Sequence, residues 1–188
     1  MTTFTPLQLE KRRESIGSSD CPAICGISPY ANALSVWLDK TGRTEPWQGN
    51  EATEAGIDLE PSIIRMAERR LKPLLTERAV ERMHPNGVMT ATLDTIFTLE
   101  DRERVIVECK SAGIVSYLDE GLWTDDGFPE WYEVQVQHQL ACSPDVDYAY
   151  LAALTPPRGF RLYLIERDQK LQDAIATRCV RLWEDHVL

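Results

Sequence analysis

MTATLDTIF (89–97) and VIVECKSAG (105–113), joined by the charged segment TLEDRER (98–104), carry the clearest information in the chain. In the second, Val105, Val107 and Cys109 alternate with Ile106, Glu108 and Lys110, so on a strand Glu108 and Lys110 project from one face. In the first, an apolar run leads to Asp94, which the pattern puts at the end of a strand and the start of a turn. Two carboxylates and an ammonium then converge. Asp94 and Glu108 are hard oxygen donors of the kind Mg²⁺ accepts, with water and phosphate filling the rest of its shell. Lys110 stands where it can orient or deprotonate a water on such a cation. A surface strand with one ion pair would show the same letters. Against that, Glu108 and Lys110 interrupt an apolar strand followed by Ser111, Ala112 and Gly113, and a buried strand does not carry charges without partners.

Working outward, period-two patterns predict strands over 74–83, 88–97 and 104–110, with Pro85-Asn86-Gly87 and the charged turn 100–103 between them, the spacing of an antiparallel meander. Upstream the pattern is helical: 7–14, a short helix opened by Ser18, Ser19 and Asp20 and stopped by Gly26, then 33–40, then 51–71. Pro61 should kink the last of these or mark its true start. Downstream, 131–141 has helical spacing, 147–154 and 160–166 alternate like a hairpin, and 171–183 is an amphipathic closing helix. The fold class is therefore α/β (α+β), a central mixed β-sheet flanked by helices behind a helical N-terminal third. No repeat, linker or composition shift divides the 188 residues, so 1–188 reads as a single domain. Neither GxGxxG nor GxxxxGK[ST] occurs.

Composition narrows the function classes. With 20 basic and 30 acidic side chains the net charge is -10, which argues against nonspecific adhesion to nucleic acid yet leaves carboxylates to hold a divalent metal. No apolar run approaches the roughly 18 residues of a membrane span, and the first residues lack the apolar middle of a signal peptide, so a cytoplasmic protein without membrane partners is expected. The five cysteines, Cys21, Cys25, Cys109, Cys142 and Cys179, read as reduced thiols. Cys21 and Cys25 lack a second pair, and His84, His138 and His186 have no ligand partners at zinc spacing, so no zinc is expected. Cys142 and Cys179 are too few and too far apart for an iron-sulfur cluster.

The order of motifs resembles the PD-(D/E)-x-K nucleases, in particular the YqaJ-type viral recombinases that include the phage lambda exonuclease. The resemblance spans roughly residues 11–155 through five blocks in the family's order: RRESIGSSDCPAICGISPY, WLDKTG, GIDLEP, ATLD with ECKSA, and YEVQVQHQLACS. Leu93 stands where the motif's name has proline, and Thr95 where glycine is usual. The resemblance implies a restriction-endonuclease-like core forming one nuclease domain. It implies that Asp94, Glu108 and the Cys109 backbone carbonyl hold Mg²⁺, with Mn²⁺ as substitute, that Glu60 completes the metal site, and that Lys110 positions the attacking water. Gln135 matches a glutamine near the metals and scissile phosphate; Arg12 and Ser19 match residues that hold the 5′-phosphate of a DNA end. The implied activity is 5′-to-3′ exonuclease digestion of linear double-stranded DNA by a homotrimeric ring, encoded by a phage or prophage in a bacterial host, with a single-strand annealing protein as recombination partner.

Other readings of the same residues stand beside this. An endonuclease would share the fold, and a catalytically inactive DNA-end-binding module would share the surface. Glu60 also suits a first-turn helix carboxylate, and Arg12 and Arg13 a solvated face. Gln135, Gln137 and Gln139 cannot all share a helical face, and Gln135 is the choice. Arg65, Arg69, Arg70 and Lys72 are either a DNA-backbone stripe or partners of Glu68 and nearby acids. Trp37, Trp131 and Trp183 read as core anchors, and Leu171, Ile175 and Leu182 of the closing helix as part of a surface between subunits.

Overall fold

The computed structural model describes residues 10, 12–45, 49–112, 121–155 and 158–187. The predicted 7–14 helix lies partly outside them, as does Gly113; residues 10, 12 and 13 are helical. In chain order the elements are β1 (Ile16–Gly17), α1 (Cys21–Ile24), α2 (Ala33–Lys40), α3 (Glu51–Leu71), β2 (Leu75–Met83), β3 (Met89–Thr98), β4 (Arg104–Ser111), α4 (Glu130–Ala141), β5 (Tyr148–Thr155), β6 (Gly159–Ile165) and α5 (Gln169–Leu182), followed by a π turn (Trp183–Val187).

The predicted meander forms: β2 pairs antiparallel with β3, and β3 with β4. Its first turn is set by Asn86, whose Oδ1 accepts from Val88 N and Met89 N, and by Gly87 at φ 72, a left-handed angle that glycine adopts without a Cβ clash. β4 then pairs in parallel with β5, and β5 antiparallel with β6, so the sheet is mixed. β1 pairs in parallel with only the first residues of β3, Met89 and Thr90, on the edge of β3 that β4 occupies farther along. Among the described residues, no strand pairs with that edge of β3 between Thr90 and Thr95, and this notch lies in mid-sheet.

Helices cover both faces. On one, Ile63, Ile64 and Ala67 of α3 bury against Phe97, Val105, Val107 and Ala152. On the other, Val136 and Leu140 of α4 and Ile175 and Cys179 of α5 bury against Ile106, Leu151 and Leu93. Burying each such aliphatic side chain is worth about 1.5–3 kcal/mol. The two layers account for why β4 and β5 are apolar on both sides.

α3 begins at Glu51 because the Asn50 side chain accepts from Thr53 N, and it continues through Pro61, which therefore does not mark its start. Pro61 has no N–H for the Ile57 carbonyl, a loss a helix supported by tertiary packing tolerates. The three tryptophans expected in the core are only half-buried; among the described residues Trp123, at 4% exposure, is the buried one. Trp37 Nε1 instead donates to the His186 carbonyl, tying α2 to the final turn. Ile175 is fully buried within the chain, so it is not part of an external surface; Leu171 and Leu182 pack partly against the same core.

Candidate active site

Asp94 does not end a strand. It lies inside β3 at the notch, and the strand is distorted around it. In the β2–β3 ladder Arg78 faces Thr95 and Val80 faces Leu93, while Ala79 and Asp94 have no Cα partners. Ala79 takes φ 51, the left-handed region that costs a non-glycine residue about 1–2 kcal/mol. Met89, Ala91 and Leu93 share one face by period two, but Ile96 and not Thr95 or Phe97 resumes that core. The alternation slips at Asp94. On the other side the ladder to β4 stops at Thr95 opposite Val107, and the next free β4 amide, Cys109 N, donates to Asp94 Oδ2 at 2.8 Å. A side chain thus replaces a strand partner, which keeps that amide satisfied.

Glu108 and Lys110 project together from β4 as the alternation requires. Glu108 is 3% exposed, and both its oxygens are engaged. Oε1 accepts from Lys110 Nζ at 2.6 Å and from Gln135 Nε2 at 2.7 Å; Oε2 accepts from Gln139 Nε2 at 2.7 Å. Gln135 and Gln139 are one helical turn apart on α4 and so share the face above β4. Sequence reasoning selected Gln135 and missed Gln139, although the spacing of four was the available signal. Gln137 points elsewhere: it donates to Glu133 and to the Glu166 carbonyl, and its Oε1 accepts from Asp168 N and Gln172. Lys110 Nζ also lies 5.2 Å from the Tyr132 ring centroid, within cation–π range.

The charges perturb one another. Burial, and then the Glu108 charge, hold Asp94 well above the usual carboxylate range. The same two causes in the same order raise Glu60, which α3 presents half-buried to the site. Burial works against the Lys110 ammonium, but Glu108 and Asp94 hold its proton more tightly than an ordinary lysine does. Burial, with Asp94 and Glu108 beside it, pushes the Cys109 thiol far up, so Cys109 is no nucleophile. An oxygen-only set of buried, mutually repelling carboxylates is the donor chemistry a hard divalent cation requires. Such a cation would remove the repulsion that now raises Asp94 and Glu60.

The N-terminal candidates form a second constellation. Asp20 directly precedes α1, and its side chain holds the chain leading into that helix: Oδ2 accepts from Gly17 N at 3.0 Å and pairs with Lys40 Nζ at 2.6 Å, and Lys40 also donates to the Arg12 carbonyl at 2.6 Å. The Arg12 guanidinium is 3.9 Å from Asp20 Oδ1, and Ser19, the residue before Asp20, is exposed. None of these contacts joins Arg12 or Ser19 to Asp94, Glu108 or Lys110. Arg65, Arg69 and Arg70 are exposed on α3 and Lys72 just beyond its end; Arg65 donates to Ser62, while Glu68 pairs with Arg78 of β2.

The profile of the YqaJ-like viral recombinase domain matches residues 8–145, which contain every residue of both constellations. The chain belongs to the YqaJ-like viral recombinase family. It is 33% identical over 183 residues to the protein YqaJ of Bacillus subtilis (strain 168), covering 96% of this chain and 56% of that one, so the chain spans about half the length of this relative. Among solved structures it resembles the alkaline exonuclease LHK-Exo from Laribacter hongkongensis, with TM-score 0.72, 17% identity and coverage of 96% and 92% of the two chains. It also resembles a phage-related exonuclease from Haemophilus somnus 129PT, with TM-score 0.66, 18% identity and coverage of 92% and 93%. At these identities the likeness establishes a shared fold, a mixed sheet flanked by helices.

The expectation of no zinc, drawn from spacing along the chain, is left unconfirmed. Cys21, His138 and Cys179, which the sequence keeps far apart, come together, their ligand atoms all within 4.8 Å of one another. His138 therefore has cysteine partners that spacing along the chain did not reveal. No helix among the described residues is long and apolar enough to cross a membrane.

Proposed function

We propose that the chain is a Mg²⁺-dependent deoxyribonuclease, one nuclease domain over 1–188, that degrades linear double-stranded DNA from its 5′ ends as a homotrimeric ring. The single strand it leaves suits an annealing protein in recombination of the phage type, in the cytoplasm of a bacterial host. The observation that carries this reading is the notch in the sheet, where Asp94 of β3 and Glu108 and Lys110 of β4 stand together with Glu60 of α3 close enough to feel their charge. Family membership and a fold shared with exonucleases support it.

Asp94, Glu108, the Cys109 carbonyl and Glu60 would hold the cation. Mg²⁺ or Mn²⁺ bound there polarises a phosphodiester, lowers the pKa of water and stabilises the leaving oxygen. Lys110, paired with Glu108, would orient the attacking water and offset carboxylate charge. Gln135 and Gln139 fix both oxygens of Glu108, which keeps the carboxylate from rotating as substrate arrives. Gln135, the more exposed of the two, also faces the scissile phosphate. Arg12 and Ser19 hold the terminal 5′-phosphate, a task for which a guanidinium fork and a hydroxyl are suited.

An endonuclease on the same fold would need the notch but not the Arg12 and Ser19 pair. Incubation with linear and closed circular duplex DNA in Mg²⁺ separates the readings. Loss of the linear form alone is the expected result; nicking of the circle points to the endonuclease, and survival of both to an inactive end-binding module. With an exonuclease in hand, 5′-phosphorylated ends should be digested faster than 5′-hydroxyl ends, and Arg12→Ala should narrow that difference. Equal rates on the two ends in the parent protein would remove the end anchor while leaving the nuclease.

A further inference from the structure

Four of the chain's five cysteines avoid the carboxylate site, and three of these four are buried. Cys21 opens α1, His138 lies in the last turn of α4, and Cys179 lies near the end of α5; each is 0% exposed. Their Sγ and ring-nitrogen atoms fall within 4.8 Å of one another, and Cys25 Sγ, half-buried at the rim, is 3.9 Å from Cys21 Sγ. Two sulfurs on one tetrahedral zinc, each about 2.3 Å from the metal, are about 3.8 Å apart. The Cys21–Cys25 pair already has that separation, and the ligand atoms of Cys21, His138 and Cys179, within 4.8 Å of one another, need to contract by about an ångström at most; Cys25 would swing inward from the rim to join them.

His138 is arranged as a ligand. Its Nε2 lies 3.0 Å from the Thr90 carbonyl, which can only accept, so Nε2 carries a hydrogen and Nδ1 is the nitrogen turned to the sulfurs. Nδ1 is buried and has no hydrogen-bond partner of good geometry. Metal-binding histidines typically donate their second N–H to a backbone carbonyl in this way, which fixes ring orientation and tautomer. A fully buried nitrogen without a partner is uncommon and calls for a proton shared with sulfur or for a cation.

We propose that Cys21, His138 and Cys179, with Cys25 as fourth ligand, form a buried site for one thiophilic divalent cation of the Zn²⁺ class, stapling the N-terminal segment and the closing helix to α4. The site stands independently of the nuclease reading and takes a different metal from the carboxylate site, because soft thiolates and hard carboxylates sort cations. The hydrogen bond from Cys21, and then that with His138, hold the Cys179 thiol down at about 6 despite burial, so a thiolate is at hand at neutral pH. Thiolate and neutral imidazole are the forms that bind a metal, so occupation of the site would release protons. The consequence reaches the notch, since His138 adjoins Gln139 on α4 and an ion on one side of the helix fixes the rotation that aims Gln135 and Gln139 at Glu108.

The test uses the full-length reduced protein, stripped with chelator and titrated with Co²⁺ alone. One equivalent should produce a thiolate-to-cobalt charge-transfer band and the intense visible bands of tetrahedral cobalt. Zn²⁺ should abolish them, and a large excess of Mg²⁺ should not. Cys179→Ser and His138→Gln should lose the bands, Cys25→Ser should weaken binding, and Cys109→Ser should keep them. If a variant fails to fold, thiol alkylation of the parent protein decides: Zn²⁺ should slow modification of Cys21, Cys25 and Cys179 relative to the stripped protein. Absence of a sulfur band in the parent, bands undiminished in Cys179→Ser, equal alkylation with and without Zn²⁺, or a brown iron-sulfur absorbance would each overturn the proposal.

Discussion

At Glu108 one carboxylate meets three donors, Lys110, Gln135 and Gln139. Removing Glu108 by alanine would leave these groups unmet, and an unsatisfied buried polar group costs about 1–3 kcal/mol. Gln139→Leu is the gentler probe, because it removes one hydrogen bond at nearly constant volume. Partners of metal-binding side chains typically cost 10–100-fold when lost. Cleavage by Gln139→Leu should therefore fall roughly tenfold, with a raised Mg²⁺ requirement and little change in affinity for DNA. Rates and half-saturating Mg²⁺ equal to those of the parent would show that Gln135 alone secures Glu108. Lys110→Ala, by contrast, should bind DNA and not turn over, measured as end binding in Ca²⁺ beside cleavage in Mg²⁺.

The raised carboxyls make a second residue-scale prediction. Asp94 and Glu60 both bind protons more tightly folded than unfolded. Below the ordinary carboxylate pKa of about 4, both states are protonated and the shift contributes nothing. As pH rises through that value the unfolded chain ionises first, so stability falls until the folded carboxyls ionise too. Metal-free protein should thus lose stability from about pH 4 towards neutrality, Asp94→Asn should flatten the slope, and Mg²⁺ should recover stability at the upper end. Denaturant titrations with and without chelator measure it, and a parent profile as flat as that of Asp94→Asn would exclude the coupling.

Among the elements, β2 carries the cost of the site. Ala79 is left-handed opposite Asp94, where the alternation of β3 slips. Glycine removes the Cβ penalty but adds backbone freedom to the unfolded chain, so Ala79→Gly should stabilise by roughly 0.5 kcal/mol. A lower midpoint in thermal melts would mean that the Ala79 methyl packs better than its backbone strains. This distortion also explains what could be read from the sequence. The meander and the hairpin follow from period two, and the turn at Asn86-Gly87 from its residue types; both are local. The shared face of Glu108 and Lys110 was equally visible. That Asp94 sits mid-strand was not, because it depends on β1 and β4 dividing one edge of β3, a matter of partners far along the chain. Gln139 was legible in principle by its spacing from Gln135. Cys21, His138 and Cys179 were not, since three helices must be docked before they meet.

For the whole molecule, the acidic balance makes a lone chain a poor holder of DNA, although Arg65, Arg69 and Arg70 of α3 are exposed. A ring of subunits would turn such faces inward around a duplex. Light scattering should give about three times the 21.4 kDa chain mass without DNA. A monomeric mass at micromolar concentration would sink the ring and favour an enzyme that releases DNA after each cut. Because Ile175 is used inside the chain, substitutions on the buried side of α5 should unfold the protein rather than dissociate it.

The parallel pairing of Ile16 with Met89 sets an order of events at birth. A ribosome adds about 5–20 residues each second, so β1 waits several seconds after emerging before its partner strand exists. The segment made early is among the last to be fixed, and it can be fixed only once the strand bearing Asp94 is out. A nascent fragment that stops short of Met89 consequently lacks the one strand against which both the Arg12 and Ser19 segment and the Asp94 notch are built.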